Sequence, residues 1–530
     1  MNGSKRRMIL AAAALAAIAS GAWASGGQDG AATGAETKRP TITVANYQME
    51  PTPEDAELLK LYGDKLSADY KVININHDKY HELLNVKLAS GEIPDLIYLR
   101  QADTLGTYVK QGVVAKLTED MIKQNAPDLY KMLSSYAPGF LEMGKINGVQ
   151  YGIPAVSPTN IFHIPLVYRA DWMRKVGVTK VPETLAEFES LMYKFAKEDP
   201  DGNGKNDTYG LSRDGFFAVF GAFGVVPFHE KTDYWMKQGD KVINHTASSN
   251  ARQALELIAK WYKDGVIDPE FVTGENQGGY WAISHALING RIGFTSRANY
   301  YHWAMPGVYQ DVDAAGNRAP NQPGAVAKEL IALNPKAELA LGQALKGPSG
   351  VAGIMEFNRL MNFYVVGKLA EQDPAKLAKV LQTLNLSANP DYLTRTSVKY
   401  GQEGKYWKLV DPASETMNMI PPYDKDQSYW SRIGGVLAMS GTPFPPKAAR
   451  EQWAYSLKYD QGGVKSVIQV GLPTAMKYKA ELMKIRDEAY ISIITGAKPV
   501  SYFDEFLQKY MAAGGAEAEK EATEFIKAQM

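Results

Sequence analysis

The sequence VININHDKYHELLNVKLASGEIPDLIYL at residues 72–99 predicts a strand, a helix, a turn and a second strand, in that order. Residues 72–75 follow the alternation of a strand, and apolar side chains then recur at helical spacing over residues 80–88. The Ser-Gly pair that follows ends the helix, and DLIYL forms the next strand. This alternation is typical of a parallel sheet in a doubly wound α/β lobe.

Length and composition favour a globular protein with two lobes or domains. The chain has 530 residues, of which 45% are hydrophobic and 22% are charged. These are ordinary values for a globular chain, and one core rarely serves so many residues. The 58 basic and 58 acidic residues cancel, whereas a nucleic-acid-binding protein normally has a basic surplus. We therefore expect no nucleic-acid partner.

The first 24 residues predict a secretory signal peptide, 1–24. Lys5, Arg6 and Arg7 precede a short apolar run, and Ala-Trp-Ala before Ser25 suits cleavage by a signal peptidase. The run is too short to span a bilayer. The alternative, a buried N-terminal helix, is disfavoured by the Gly- and Ala-rich sequence that follows. Residues 25–39 predict a flexible tether.

The chain has no cysteine. A bacterial lipoprotein needs a cysteine at its cleavage point, so this chain cannot be lipidated there. No other apolar run reaches the length of a membrane span. We therefore expect an exported, soluble periplasmic protein that does not insert directly into the membrane.

DPDGNGKND at residues 199–207 predicts a structural calcium site. Oxygen-bearing side chains occupy the first, third, fifth and ninth positions, and a glycine occupies the sixth, as in an EF-hand. The candidate ligands are Asp199, Asp201, Asn203, the backbone carbonyl of Lys205, and Asp207. The twelfth position is Gly210 and not Glu, so further ligands must come from elsewhere or from water. The alternative interpretation is a polar turn.

Recognisable catalytic motifs are missing from the sequence, which has neither a Walker A loop nor a GxGxxG motif. GLSRD at residues 210–214 lacks the last glycine of a nucleophile elbow. His77 and His81 have the spacing of a zinc-protease helix, but the glutamate and a third ligand are missing, so surface or partly buried histidines are favoured. We expect no enzyme; the alternative is a secreted polysaccharide hydrolase or lyase.

Adjacent aromatic residues suggest a cleft in which sugar rings stack. Neighbouring side chains diverge on a helix or a strand, so one member of each pair tends to leave the core. Tyr and Trp offer the large amphipathic faces that sugar rings contact. The alternative is core or inter-lobe packing. The predicted ligand contacts are Tyr47, Trp281, Arg297, Tyr301, Trp303, Trp407 and Trp430, of which Trp281 and Trp407 are preferred.

Nine short segments follow one another through the chain after the tether. They are GEIPDLI (91–97), YGIP (151–154), YRADW (168–172), VPET (181–184), DPDGNGKND (199–207), WYKDGVIDPEF (261–271), KGPSG (346–350), GQEGKYW (401–407) and ITG (494–496). In series they resemble the family 1 extracellular solute-binding proteins, in particular the LplA-like and alginate-oligosaccharide-binding type.

This resemblance implies an α/β fold of the two-lobed, type II-like periplasmic-binding-protein kind, with lobes hinged around a ligand cleft. We expect the first lobe at residues 40–154 plus about 347–404. The second lobe is expected at 155–346 plus about 405–530 and contains the calcium-type loop.

The resemblance also implies a structural Ca²⁺ in the second lobe and a role in transport. Some relatives have an acidic residue directly after the last aspartate of the loop, where this chain has Thr208, so one ligand position is open. The expected partners are a carbohydrate, most simply an oligosaccharide, and the permease subunits of an ABC importer. The protein itself is expected to be a monomer. A peptide- or signal-molecule-binding protein is the alternative.

Overall fold

The computed structural model separates Met1–Arg39 from one compact unit, Pro40–Met530. The predicted signal peptide and tether lie outside the described residues, apart from Arg39. None of the helices in the described part combines the length and apolar character that crossing a bilayer requires. The described residues are 39–46, 53–75, 79–100, 104–136, 140–156, 162–163, 165–227, 234–273, 284–312, 317–357, 360–424, 437, 439, 454–455, 458, 463–468 and 471–528.

Strands and helices alternate along the described chain. The strands are β1 Thr41–Asn46, β2 Asp69–Asn74, β3 Leu96–Leu99, β4 Lys145–Ile146, β5 Val149–Gln150, β6 Gly152–Val156, β7 Phe162–His163, β8 Leu166–Arg169, β9 Tyr209–Leu211, β10 Trp235–Gln238, β11 Lys241–Asn244, β12 Ile292–Thr295, β13 Gln310–Val312, β14 Arg318–Pro320, β15 Leu339–Gly342, β16 Ile354–Phe357, β17 Leu360–Val366, β18 Trp407–Asp411, β19 Thr416–Met419 and β20 Gly463–Val464. The α-helices are α1 Pro53–Leu66, α2 Tyr80–Ala89, α3 Leu105–Lys110, α4 Glu119–Asn125, α5 Pro127–Tyr136, α6 Ala170–Lys175, α7 Leu185–Lys197, α8 Phe216–Ala222, α9 Ser249–Lys263, α10 His285–Ile288, α11 Ala325–Leu333, α12 Pro374–Leu386, α13 Tyr392–Tyr400, α14 Pro473–Ile494, α15 Tyr502–Tyr510 and α16 Ala516–Ala528.

The first lobe is built on a five-stranded sheet with the order β2-β1-β3-β17-β6. β1 runs parallel to β2 and to β3, so Val44 lies opposite both Val72 and Leu96. β17 is antiparallel to β3 and β6. Buried side chains cover both faces, with Val44 in one cluster and Ala45 in the other. The strand–helix–strand pattern predicted over residues 72–99 is confirmed by β2, α2 and β3.

The second lobe is built on a four-stranded sheet with the order β15-β8-β12-β9. β9 and β12 are parallel, and β8 is antiparallel to β12 and β15. Phe188 and Phe195 of α7 pack with Trp261 of α9 in its core. α7 begins with a capping box, in which Thr184 and Glu187 each bond the backbone of the other. This reciprocal cap fixes the start of the helix that leads to the calcium-type loop.

Short strands between the two sheets form a third sheet with the order β20-β16-β7. Along the chain, β7 comes after β6 of the first sheet and before β8 of the second. β16 comes after β15 of the second sheet and before β17 of the first. The chain therefore crosses between the lobes at least twice in the described part, and the crossings are hydrogen-bonded to each other. This is the arrangement of two α/β lobes joined by a hinge.

The structure corrects the predicted lobe boundary at residues 404 and 405. Trp407 of β18 and Met419 of β19 are buried in the core of the first lobe, although the sequence assigned them to the second. The C-terminal region is divided between the two lobes. Within α14, Ala475 packs with first-lobe residues, whereas Tyr490 packs with second-lobe residues. Hydrophobic periodicity shows that a segment is buried but not which sheet it covers.

Candidate functional site

The carboxyl ends of β9 and β12 lie side by side in the second lobe, because these strands are parallel neighbours. Ser212 and Asp214 follow β9, and Ser296 and Arg297 follow β12. Nη1 of Arg297 lies 3.4 Å from Oδ1 of Asp214, so an ion pair joins the two strand ends. Open α/β sheets bind ligands at the carboxyl ends of their parallel strands. We call these four residues the second-lobe edge.

The backbone next to the second-lobe edge is held in an unusual conformation. Ala298 has φ +65° and Ser284 has φ +52°, although neither residue is a glycine. The hydroxyl of Ser284 lies 2.5 Å from that of Thr295. The indole Nε1 of Trp303 donates to the carbonyl of Arg297 over 2.7 Å. Such strained residues cost about 1–3 kcal/mol each and occur preferentially at functional sites.

The corresponding edge of the first lobe is formed by the carboxyl ends of β1 and β3. The hydroxyl of Tyr80 donates to the carbonyl of Tyr98 over 2.8 Å and lies 3.2 Å from that of Ala45. This contact fixes the first turn of α2 against both strand ends. His81 follows Tyr80 in that turn, and Arg100 directly follows β3. We call His81 and Arg100 the first-lobe edge.

His81 is a buried polar group without a partner. Neither ring nitrogen has a hydrogen-bond partner within the described residues. Burial lowers the pKa of His81 to about 4, and the positive charge of Arg100 adds to this effect. The imidazole is therefore neutral at pH 7, with one nitrogen donating and the other accepting. A neutral imidazole is suited to sugar hydroxyls, which both donate and accept.

The predicted ligand contacts Tyr47, Trp281 and Trp430 lie outside the described residues. Arg297 lies at the second-lobe edge, as described above. Tyr301 lies close by and is half-buried, and its hydroxyl accepts a hydrogen bond from Nδ2 of Asn299 over 2.9 Å. Of the predicted contacts that the structure describes, these two lie at or near a strand edge.

Trp303 and Trp407 are core residues, which corrects the prediction that they contact the ligand. Trp303 is 1% exposed and Trp407 is 0% exposed. Each indole N–H is already used, by the carbonyls of Arg297 and Gly401 respectively, both over 2.7 Å. Neither ring has a face open to a ligand in this structure. Trp303 serves the site indirectly, because it holds the backbone of Arg297.

Several residues of the two edges were not singled out from the sequence. Asp214 and Ser296 follow strands that are only three and four residues long, so the alternation pattern is too short to reveal them. Arg100 follows a strand that was predicted, and its position after DLIYL could have identified it. The hydroxyl of Ser296 is buried and has no hydrogen-bond partner within the described residues.

The calcium-type loop folds as a turn held by its own side chains. Asp199 accepts hydrogen bonds from the backbone N–H groups of Gly202 and Gly204 over 3.0 and 3.1 Å. Nδ2 of Asn203 lies 2.8 Å from Asp201 Oδ2 and 3.1 Å from Asp207 Oδ1. In the described residues, no three His, Cys, Asp or Glu side chains stand as a ready metal-binding group.

The chemistry of the loop nevertheless fits a hard cation. Its donors are carboxylate and amide oxygens, which Ca²⁺ prefers. The amide of Asn203 lies between Asp201 and Asp207, and turning it through a half rotation would place its oxygen there. Burial raises the pKa of Asp201, and the charges of Asp207 and Asp199 act in the same direction. The hydroxyl of Thr208 is buried and donates to the carbonyl of Phe195, so this side chain does not face the loop as a ligand.

The two α/β lobes and their polar strand edges are accompanied by a match of the sequence to a known family. The family model described as bacterial extracellular solute-binding protein matches residues 64–344 of the 530. The chain belongs to this family.

Individual relatives are distant. The chain is 27% identical to lipoprotein LipO of Bacillus subtilis over 245 residues, which are 45% of this chain and 47% of LipO. It is 23% identical to the polygalacturonan/rhamnogalacturonan-binding protein YtcQ of the same organism over 501 residues, covering 91% of this chain and 90% of YtcQ. Among solved structures, an EF-hand mutant of the S. pneumoniae ABC-transporter substrate-binding protein FusA in complex with fructo-nystose matches with a TM-score of 0.59. That match covers 92% of this chain and 100% of FusA at 18% identity, and it shows the shared fold.

Proposed function

We propose that this protein is the substrate-binding component of an ABC importer, which captures an oligosaccharide between its two lobes. The observation that carries the proposal is the pair of polar strand edges on two sheets joined by hydrogen-bonded crossing strands. Closure of the lobes brings such edges onto one ligand. The closed form is then what the permease recognises.

The chemistry of the edges favours a carbohydrate over a peptide or signal molecule. The first-lobe edge has a neutral imidazole, and the second-lobe edge has a part-exposed guanidinium. Such groups can hydrogen-bond hydroxyls from both sides. YtcQ and FusA, which this chain resembles, are named for oligosaccharide or polysaccharide ligands. A peptide-binding relative of the same fold is the second candidate, although no contact of the described residues favours it.

Thermal-shift and intrinsic-fluorescence titrations against a panel of oligosaccharides and peptides test this proposal. A ligand at 100 times its dissociation constant stabilises the folded state by about 2.7 kcal/mol, which is a clear thermal shift. We expect a response to at least one oligosaccharide and an unchanged sugar after prolonged incubation. A response to peptides alone would contradict the carbohydrate proposal, and cleavage of the sugar would indicate an enzyme.

We further propose that the protein is exported, cleaved after Ala24 and released into the periplasm. The signal-peptide pattern and the lack of cysteine support this location. N-terminal sequencing of protein from the periplasmic fraction should begin at Ser25. Retention of Met1 in cytoplasmic protein would contradict it.

We also propose that the loop at residues 199–207 holds a structural Ca²⁺. Asp199, Asp201, Asn203 and Asp207 would bind through side-chain oxygens, and Lys205 through its carbonyl. The ion would supply positive charge to three carboxylates. It would thereby stabilise the connection between α7 and β9, the strand that leads to the second-lobe edge.

A calcium titration followed by thermal unfolding tests this site. We expect Ca²⁺ to raise the melting temperature, EGTA to reverse the rise, and Mg²⁺ to have a smaller effect. Asp207→Asn should weaken the response. Asp240→Asn, in the exposed turn between β10 and β11, is the matched control and should leave the response unchanged. A calcium response that survives in Asp207→Asn and Asp201→Asn would place the ion elsewhere.

A further inference from the structure

Two C-terminal stretches of the chain pass from one lobe to the other. Leu482 and Ile494 of α14 pack in the second-lobe core, whereas Ala475 in the first turn of that helix packs with first-lobe residues. In the last stretch of the chain, Tyr510 of α15 lies in the second-lobe core and Ala518 of α16 lies in a first-lobe cluster. These two crossings are helical, unlike those of β7 and β16.

The helices on either side of the crossings are held by different lobes. In α14, the hydroxyl of Tyr490 donates to the carbonyl of Thr246 over 2.7 Å, and both residues belong to the second lobe. In α16, the hydroxyl of Thr523 accepts a hydrogen bond from the backbone N–H of Val242 over 2.9 Å, and Val242 packs in the first-lobe cluster. A relative movement of the lobes therefore moves α16 relative to most of α14.

Gly514 interrupts the helical backbone between α15 and α16. It lies in the segment Met511–Gly515 and has φ +120° and ψ −7°. Glycine adopts positive φ at little cost, and sharp bends in helices concentrate at such residues. Hinges consist of a few residues at the ends of elements, which absorb the change in φ and ψ. Because Gly514 lies between Tyr510 and Ala518, the bend coincides with the crossing.

Tyr478 of α14 packs directly on this bend. A Cβ at Gly514 would lie 2.3 Å from Cγ of the Tyr478 ring, so the ring occupies the space that a side chain would need. The hydroxyl of Tyr478 donates to Oε2 of Glu517 over 3.0 Å. One turn away in each helix, the N–H of Thr474 donates to Glu521 over 2.8 Å. The bend is thus held by a ring at its centre and by hydrogen bonds from α14 to α16.

We propose that Gly514 is the pivot of a helical hinge between the two lobes, and that Tyr478 is a positioning residue that sets its angle. Rotation at Gly514 moves α16 with the first lobe while α14 and α15 stay with the second. The Tyr478–Glu517 hydrogen bond joins the two moving bodies and limits the rotation. This inference goes beyond the proposed function, because it concerns how the lobes move and not what they bind.

The test is the distance between one spin label on each lobe, measured by double electron–electron resonance on the ligand-free, full-length protein. The chain has no cysteine, so Glu82→Cys and Thr273→Cys introduce the two label sites. Both residues are exposed. Glu82 follows His81 at the first-lobe edge, and Thr273 lines a small pocket together with Ser212 of the second-lobe edge.

Gly514→Ala should shift the mean distance between the labels. The added Cβ and the Tyr478 ring must separate by at least about 1 Å to reach an ordinary contact, and rotation about the pivot enlarges this shift at the strand edges, so we expect a change of more than about 2 Å. Tyr478→Phe keeps the ring and removes the hydrogen bond to Glu517. We expect this variant to broaden the distance distribution with little change in its mean.

Gly496→Ala is the matched control. Gly496 also has a positive φ, +75°, but it lies between α14 and α15, which are both held by the second lobe, and a Cβ there would meet nothing within 4 Å. The backbone strain of the substitution is therefore similar, whereas the distance distribution should equal that of the wild type.

The outcomes separate the pivot from general destabilisation and from the proposed function. A wild-type distribution in Gly514→Ala, or an equal shift in Gly496→Ala, would overturn the inference. If Gly514→Ala does not fold, Tyr478→Phe decides, and an unchanged width of its distribution then overturns the inference. Failure of every oligosaccharide to bind would overturn the proposed function and leave the pivot intact, because no ligand enters this measurement.

Discussion

Each lobe contains a histidine whose pKa is lowered to about 4 by burial, yet the two side chains differ in their surroundings. His245, which follows β11 and packs beside second-lobe core residues, accepts a hydrogen bond at Nδ1 from the backbone N–H of Val226 over 3.0 Å. His81, at the first-lobe edge, has no hydrogen-bond partner for either nitrogen within the described residues. A lowered pKa therefore does not identify a binding group by itself. A binding group is identified by the lack of a hydrogen-bond partner together with a position at a strand edge.

The largest effect expected from this contrast is on stability at His245. His245→Ala leaves a cavity in a buried region and leaves the N–H of Val226 unpaired. Together these changes should cost about 4 kcal/mol of the free energy of unfolding. Urea denaturation at pH 7 measures the loss, and His285→Ala, on an exposed side chain of α10, is the control. A loss below about 1 kcal/mol would show that His245 is not a structural residue.

The pH dependence of stability is the next effect in size. An unfolded histidine has a pKa near 6.5, so between pH 6.5 and pH 4 the unfolded chain binds protons that folded His245 does not. Stability should therefore be greatest above pH 6.5 and fall as the pH drops toward 4, by about 3 kcal/mol from His245. His81 adds a smaller share because it is more exposed and solvent screens its charge.

Denaturation curves at pH 7, 6, 5 and 4 measure this dependence. His245→Gln cannot take up a proton, so its stability should fall less steeply over the same range, although it starts lower at pH 7. Carboxylates also titrate near pH 4, and the difference between wild type and variant removes their common contribution. Equal slopes for the two proteins would contradict the assignment to His245.

Replacing the two core tryptophans should have a smaller effect on stability. Comparing stability with ligand affinity in these variants shows whether each ring packs in the core or contacts the ligand. Trp303→Phe and Trp407→Phe each remove an indole N–H from a backbone carbonyl and leave some empty volume, which should cost about 2 kcal/mol each. Thermal unfolding measures the loss. Trp407→Phe should leave ligand affinity unchanged, whereas Trp303→Phe should weaken it modestly because Trp303 holds Arg297. A large loss of affinity in Trp407→Phe would restore its predicted contact with the ligand.

These tryptophans show where reasoning from the sequence fails. Divergence of neighbouring side chains correctly separates Tyr300, which is buried, from Tyr301, which is half-buried. At Tyr406 and Trp407 both rings are buried, because the turn that precedes β18 folds back over the indole and Gly401 accepts its N–H. This turn lies only six residues before the indole, but the spacing of apolar residues does not reveal that it folds back over the ring.

The fold was more predictable than the site for a related reason. In the 72–99 segment each strand and the helix are long enough to show their own hydrophobic period. Periodicity was therefore sufficient to predict these three elements. Strands β7 and β20 of the third sheet have two residues each, which is too short for any period. The second-lobe edge depends on β9 and β12 becoming parallel neighbours although Leu211 and Phe294 are far apart in sequence. Arg297 was singled out because of nearby aromatic residues, and its pairing with Asp214 required the structure.

The smallest stability effect is expected at His81. Its replacement distinguishes a binding histidine from the structural histidine His245. Replacing a buried polar group that has no partner by an apolar one is nearly neutral or stabilising. His81→Leu should therefore change the free energy of unfolding by less than about 1 kcal/mol, in contrast to the loss at His245. Oligosaccharide affinity should nevertheless fall about 10-fold, because the ligand hydroxyls lose a donor and an acceptor. His81→Asn, which keeps a donor and an acceptor on a shorter side chain, should retain part of the affinity. Denaturation and calorimetry on the same samples separate the two readouts. A variant that loses stability while its affinity is unchanged would make His81 a structural residue like His245.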